Sequence, residues 1–260
     1  MCDDAHEALP FAELPLADLH THVVPRLDDG ASTDEMALRM LRAAEADGTT
    51  TVVATPHSHH ARAADILRGV ELLREQAAAA GVRVDVLPGS EARITSRLVE
   101  QYANGELVTL NGTTWVLIEL YLGDEWPFEL VEKALDRLQA GGLRPVLAHA
   151  ERYPMVQRAP RLMEAIAARG IPVQLNAGSL FGENGLLAQK AAESLLAKRL
   201  AHLIASDAHA AGWRQPVIRA AHLRAAELAG EDYARWMASV PWAILAGDDV
   251  ALPQPLPPET

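Results

Sequence analysis

The sequence predicts an α/β fold in which a parallel sheet closes into a seven-unit barrel, and three observations predict it. Short aliphatic or β-branched runs alternate seven times with longer amphipathic stretches. The run lengths suit strands and helices respectively, and each strand-like run leads to a His, Glu, Asp or Asn. Right-handed crossovers between such units tend to close a parallel sheet on itself. Residues 1–15 mix acids with Pro10 and Pro15 and form an N-terminal extension, residues 16–250 form one barrel domain, and the Pro-rich residues 251–260 form a loose tail.

The first strand is expected over residues 16–22, ahead of a loop with Pro25, Asp28, Asp29 and Gly30. Ser32 or Thr33 can cap the next helix, Asp34 and Glu35 sit in its first turn, and Gly48 ends it. The unit repeats with a strand over 50–55 leading to His57 and a helix over 66–80 closed by Gly81. Further strands are expected over 82–87, leading through Pro88-Gly89-Ser90 to Glu91, and over 114–118, leading to Glu119. Three more, over 145–148, 172–175 and 202–205, lead to His149, Asn176 and Ser206-Asp207-Ala208-His209. Helices fit 95–102, 127–140, 160–169 and 186–199, with one or two more in 216–240.

Composition narrows the function. At 260 residues and 49% hydrophobic, the chain can bury one large core. Its net charge of −12 argues against a nucleic-acid partner, which needs clustered Lys and Arg. The acidity serves solubility, and part of it can be ligand carboxylates that bound cations neutralise. Cys2 is the only cysteine, so there is no disulfide framework, Cys-rich zinc site or thiolate nucleophile, and a reducing cytoplasm is the expected compartment. No apolar run is long enough to cross a bilayer and residues 1–15 lack the order of a signal peptide, so no membrane insertion is expected.

In an extended strand alternate side chains share a face, so His20 and His22 can hold one ion between them. The strands of a parallel barrel open their C-terminal ends onto one face, where catalytic groups gather. That face would carry His20, His22, Asp29, His57, Glu91, Glu119, His149, Asp207 and His209. Any one of them is equally well a helix cap, a surface charge or a satisfied core histidine. Together they are the imidazole and carboxylate set of divalent transition metals. Nine such groups exceed one ion; two or three ions bridged by carboxylates would use them, whereas without metal they would repel or need large pKa shifts. His59 and His60 lie past a strand end and are weaker candidates, while His6, His202 and His222 read as structural or exposed.

The segments Asp18-Leu-His-Thr-His22, Leu27-Asp-Asp-Gly30, Thr55-Pro-His57, Gly89-Ser-Glu91, Leu117-Ile-Glu119, Ala148-His-Ala-Glu-Arg-Tyr153 and Ile204-Ala-Ser-Asp-Ala-His209 carry a resemblance. From about residue 16 to 215 the chain resembles the PHP (polymerase and histidinol phosphatase) family, and within it the bacterial tyrosine-protein phosphatases of capsule and exopolysaccharide loci, the CpsB and YwqE type. The resemblance implies a distorted (β/α)7 TIM-like barrel and two to three divalent ions, manganese foremost, with iron, zinc, cobalt or magnesium as alternatives. It implies that His20, His22, Glu91 and Asp207 hold one ion, that Glu91, Glu119 and His149 hold a second, and that Asp29, His57 and His209 hold a third. Asp29 and Glu119 stand where many PHP phosphoesterases have histidine, which points to the tyrosine-phosphatase branch. Arg152 and Arg214 match that branch's phosphate-binding arginines. Asp34-Glu35-x-x-x-Arg39 resembles its Glu-Glu-x-x-x-Arg oligomerisation motif, with Asp for the first Glu, and so implies a homo-oligomer. The stretch His57-Ser58-His59-His60 departs from the basic loop common there. The implied partner is a phosphotyrosine protein, the tyrosine-rich tail of a bacterial kinase controlling polysaccharide export.

The chemistry fits those residues. Paired ions can activate water and steady a leaving oxygen, and Arg152 and Arg214 can fork onto non-bridging oxygens. Phenolate, whose conjugate acid has a pKa of about 10, leaves readily, and His209 could donate a proton if free of the third ion. With Cys2 alone there is no Cys-x5-Arg loop, so tyrosine-phosphatase activity must depend on metal. Three alternatives stand beside this reading: a histidinol-phosphatase-type enzyme, an amidohydrolase and a non-catalytic metal-binding platform. Amidohydrolases typically use a carbamylated strand-end lysine, whereas Lys133, Lys190 and Lys198 fall in predicted helices.

Overall fold

Eight strands and nine α-helices alternate along the residues that the computed structural model describes, 10–122 and 125–256. Strands β1 (Leu16–Thr21), β2 (Thr49–Ala54) and β3 (Asp85–Pro88) form one parallel sheet. A second contains β4 (Glu91–Arg93), β5 (Trp115–Glu119) and β6 (Arg144–Leu147), and a third β7 (Gln174–Asn176) and β8 (Leu203–Ala205). Strands β1, β5, β7 and β8 are buried at every position, as parallel sheet covered on both faces requires.

The seven-strand barrel expected from the alternation is not present as one unbroken ladder. Single bridges, His57 with Glu91, Leu147 with Val173 and Thr21 with Ala208, link the three parallel sheets instead. The third expected strand, over 82–87, is found as β3 over Asp85–Pro88, and a strand that was not expected, β4, begins at Glu91. Pro88 brings no N–H to the ladder, and Ser90 turns away to donate its hydroxyl to the Val108 carbonyl at 2.7 Å before pairing resumes at Glu91.

The helices bury the faces their spacing dictates. In α1 (Asp34–Asp47), Thr33 Oγ1 accepts from the Met36 amide at 3.2 Å and Ala37, Met40, Leu41 and Ala44 face inward. Helix α2 (Ala63–Ala79) buries Ile66, Val70, Leu73 and Ala77. Helix α3 (Leu98–Ala103) starts later than the sequence suggests, and α4 (Phe128–Ala140) buries Val131, Leu135 and Leu138. An unexpected short helix, α5 (Pro154–Arg158), opens on Pro154 and precedes α6 (Leu162–Ala167). After α7 (Leu186–Ala197), helices α8 (Arg219–Ala229) and α9 (Glu231–Ala246) close the chain, the last continuing through Pro241 beyond its expected end. Val240 and Ile244 of α9 pack with Leu19, Val53, Leu117, Val146 and Leu203, which come from five different strands.

The extension is tied down where it is described. Phe11 is buried in a short 3-10 turn (Phe11–Glu13), and Arg219 donates to the Ala12 and Leu14 carbonyls and to that of Asp47. Asp47 Oδ2 in turn accepts from the amides of Ile218 and Arg219 at 2.6 and 2.9 Å. Residues 251–256 of the tail have no regular structure, although the Leu256 amide reaches the Lys198 carbonyl at 3.0 Å. Cys2, His6 and residues 257–260 lie outside the described residues. His202 and His222, left open between structural and exposed, are both buried.

Candidate metal centre

The site begins where β1 runs out into its loop. The Ala31 amide donates back to the His22 carbonyl at 3.0 Å, closing that loop on the strand end. A Cβ at Gly30 would collide with His22, so only glycine permits this approach. The closure turns Asp28 inward, where its carboxylate takes the Nδ1 proton of His22 at 2.6 Å, the His57 amide at 3.0 Å and the Gly30 amide at 3.0 Å. Asp29 is left 63% exposed at the rim.

With Nδ1 committed, His22 presents the Nε2 lone pair toward Nε2 of His20, 3.2 Å away. Glu91 Oε2 stands 3.4 and 3.5 Å from these two nitrogens, and Asp207 Oδ1 the same. Each carboxylate oxygen thus closes a compact triangle of donor atoms with the two imidazole nitrogens. Imidazole nitrogens and carboxylate oxygens gathered in this way are a donor set for a divalent transition metal.

The surrounding field fits a cation as well. Burial pushes the Glu91 and Asp207 carboxyls up, but His20 and the neighbouring imidazoles outweigh it and hold both well below the usual carboxylate range. Burial likewise opposes charge on His22, yet Asp207, Asp28 and Glu91 raise it well above its ordinary value. His57 is raised to about 10 by Glu119 and Glu91 against the same penalty. Imidazoles that carboxylates force to prefer a proton are positions a divalent ion takes with proton release.

All nine candidate ligands meet in this region. His22, Asp29, His57 and His209 have donor atoms within 4.8 Å of one another, as do His20, Glu91 and His149. His149 Nε2 lies 2.8 Å from Glu91 Oε1, and Glu119 Oε1 lies 3.5 Å from His57 Nδ1. His59 joins His57 and Glu119 in a further such group, and His60 packs against the His59 ring. His149, Asp207 and Arg214 have φ of 32°, 53° and 53°, a conformation that side chains other than glycine adopt at a cost.

Several residues that orient these groups have no role in the sequence reading, which places Asn176 at a strand end and does not single out Gln174. On β7, Gln174 and Asn176 share a face. Gln174 Oε1 accepts from His20 Nδ1 at 3.1 Å and from the His149 amide at 3.0 Å, its amide nitrogen donates to Asn176 Oδ1, and Asn176 Nδ2 donates to Asp207 Oδ2 at 2.7 Å. One amide relay therefore fixes three candidate ligands. Beneath it the buried Glu151 accepts from Ser179 Oγ and the Asn176 amide. Asp28 stood in a quoted segment, but no signal separated its role from that of Asp29. Gln174 and Asn176 carry only the period-two spacing of a strand.

The mouth of the site is a cavity of about 270 Å3. Arg152 and Arg214 line it, and both pair with the same oxygen, Asp207 Oδ2, at 2.9 and 2.5 Å. Arg93, Tyr121 and Leu122 line it too, and Arg93 Nε donates to Glu119 Oε1 at 3.3 Å.

Residues 16–244 match the family described as capsular polysaccharide synthesis, CpsB/CapC. The chain is 32% identical over 202 residues to the tyrosine-protein phosphatase YwqE of Bacillus subtilis (strain 168), spanning 75% of this chain and 77% of that protein. It is 30% identical over 198 residues to the putative tyrosine-protein phosphatase CapC of Staphylococcus aureus, with the same coverage of 75% and 77%. A crystal structure from a study of YwqE from Bacillus subtilis and CpsB from Streptococcus pneumoniae, described as unique metal-dependent tyrosine phosphatases, superposes with a TM-score of 0.88 at 28% identity, covering 94% of this chain and 100% of that one. An organophosphorus hydrolase variant from Deinococcus radiodurans, at a TM-score of 0.56 and 14% identity over 92% of this chain and 95% of its own, shares the fold alone. The chain belongs to the CpsB/CapC capsular polysaccharide synthesis family.

Proposed function

We propose that the chain is a metal-dependent protein-tyrosine phosphatase that uses two to three divalent ions, manganese foremost, and acts on a bacterial tyrosine kinase of capsule or exopolysaccharide synthesis. The observation that carries this reading is the pair of guanidinium groups, Arg152 and Arg214, set on one oxygen of Asp207 beside a floor of metal donors. The names of the relatives, tyrosine-protein phosphatases described as metal-dependent, support it.

In this reading His20, His22, Glu91 and Asp207 hold one ion, Glu91, Glu119 and His149 a second, and Asp29, His57 and His209 a third. When bound, such ions supply an activated water and neutralise phosphoryl charge. Arg152 and Arg214 can reach from Asp207 to non-bridging oxygens and orient phosphorus over the donors. The Nδ1 proton of His209 goes to the Asp207 carbonyl at 2.9 Å, so Nε2 faces Asp29 at 3.4 Å as a ligand would, rather than as a proton donor. A phenolate leaving group, with a conjugate-acid pKa of about 10, needs little help from an acid.

Residues 16–250 act as one catalytic unit, because the candidate ligands extend from His20 to His209. The single bridges that join the three sheets in turn support reading them as a distorted (β/α)7 barrel. Self-association through Asp34, Glu35 and Arg39 belongs to the same proposal, although Asp34 already pairs with Arg26 at 2.7 Å.

The test is hydrolysis of a phosphotyrosine peptide beside histidinol phosphate, with manganese, with chelator, and for His149→Ala and Arg152→Ala. Manganese-dependent turnover preferring phosphotyrosine, lost in His149→Ala and weakened in Arg152→Ala, is expected. Preference for histidinol phosphate would redirect the substrate assignment, and no turnover by a metal-loaded sample would leave a metal-binding platform.

A further inference from the structure

The cavity has an uneven lining. Apart from Tyr121 and Leu122, every residue around it carries an imidazole, a carboxylate or a guanidinium. A site built only for phosphate and metal has no use for an aromatic ring, yet Tyr121 stands there 47% exposed. Its position is set on several sides. The Arg93 guanidinium covers the ring at 4.9 Å from its centroid while its Nε is engaged by Glu119. The Tyr121 carbonyl accepts from Trp126 Nε1 at 3.2 Å, and the preceding Leu120 amide donates to the hydroxyl of the buried Tyr153 at 3.0 Å. The ring is thus anchored two residues beyond the candidate ligand Glu119 and exposed to whatever enters the cavity.

The clamp and the ring come from different strand ends that line one cavity. Arg152 follows β6 and Arg214 follows β8, the two converge on Asp207, and Tyr121 follows β5. A cavity of about 270 Å3 is at the lower end of ligand-site sizes and suits one phosphorylated side chain rather than a nucleotide. Tyr121 and Leu122 are the non-ionic part of the lining that the substituent of a phosphate ester seated at the arginines can meet.

We propose that Tyr121, backed by Arg93 and flanked by Leu122, is the specificity-determining residue of this site, receiving the aromatic ring of an aryl phosphate and so favouring aryl over alkyl phosphomonoesters. An aromatic pair prefers offset or edge-to-face packing and contributes beyond the area it buries, which corresponds to a preference of about tenfold. An alkyl phosphate leaves the ring uncovered. The inference deepens the phosphatase reading and rests on it for turnover, while the binding preference stands apart from turnover.

The experiment uses the full chain loaded with manganese and two phosphonates that cannot be hydrolysed, benzylphosphonate and propylphosphonate, titrated by calorimetry. The wild type is expected to bind the benzyl compound about tenfold more tightly. Tyr121→Ala should bring the ratio to about two or less and raise KM for a phosphotyrosine peptide about tenfold, and Tyr121→Phe should keep the wild-type ratio. An equal affinity of the wild type for both compounds, or a ratio that Tyr121→Ala leaves unchanged, would overturn the proposal. An aryl preference that depends on Tyr121 without hydrolysis of any phosphomonoester would sink the phosphatase reading and leave the aryl site standing.

Discussion

Asp28 and His22 share a proton-bearing contact of 2.6 Å, and the oxygen that makes it also takes the amide of His57. One buried carboxylate thus sets the tautomer of one candidate ligand and the backbone of another. Removing such an orienting partner lowers metal affinity about 10- to 100-fold. Asp28→Ala should lose metal by that factor in a competition titration against a chelator. Unchanged affinity would mean that the loop alone orients His22.

Arg152 and Arg214 should matter through substrate binding. Each offers a charge-assisted hydrogen bond, about 1.5–3 kcal/mol, so kcat/KM for a phosphotyrosine peptide should fall about 10- to 100-fold in either alanine variant. Lysine at either position should restore little, since it lacks the planar fork. Because both guanidiniums share Asp207 Oδ2, the double variant should not show the sum of the two losses. Wild-type kinetics in Arg214→Ala would remove it from the phosphate clamp.

His202 predicts a pH dependence of stability away from the candidate ligands. Its Nδ1 accepts from the Val173 amide at 3.0 Å, and burial pushes its pKa down to about 3. The folded state then binds fewer protons than the unfolded one between that value and the ordinary pKa of about 6.5. The contribution is complete above about 6.5 and is lost as the pH falls toward 3, amounting to about 2 kcal/mol by pH 5. Denaturant unfolding at pH 7 and pH 5 should show that loss in the wild type and less of it in His202→Asn, which keeps an acceptor for Val173. Equal pH sensitivity of the two proteins would contradict it.

Arg219 ties three chain segments at once, bonding the Ala12, Leu14 and Asp47 carbonyls. A Cβ at Gly48, where φ is 86°, would collide with its guanidinium. Arg219→Ala should cost about 2 kcal/mol, and at this chain length that lowers Tm by roughly 4–8 °C. Gly48→Ala should act in the same direction through the displaced guanidinium. A Tm within 1 °C of wild type, by about the noise of a thermal scan, would show the clamp to be redundant.

The meeting of His20, His22, Glu91, His149 and Asp207 is legible because strand ends can be found from local spacing, and parallel strands bring their ends together. What the spacing misses depends on contacts between distant residues. Asp28 is 1% exposed and Asp29 63%, although the two are chemically alike and adjacent, because the Gly30 closure decides which one turns inward. Asn176 reads as a strand-end residue without a role and Gln174 as a polar residue of an ordinary strand; what they do appears only when His20, His149 and Asp207 are placed around them. The break before the additional strand β4 lies where Ser90 finds Val108, a partner no local pattern names.

Between the first strand and the last there is one bridge, Thr21 to Ala208, supported by the amides of His22 and Asp207. The donor group lies across that seam, with His20 and His22 on one side and Asp207 on the other. An ion there is a cross-link that closes almost the whole chain into a loop, and its grip adds to folding in proportion to supply, about 2.7 kcal/mol at a concentration 100 times the dissociation constant. Metal starvation would therefore loosen the seam as well as stop turnover. The protein's half-life would then follow the cell's divalent-ion pool, and hydrogen exchange along β1 and β8 would record it.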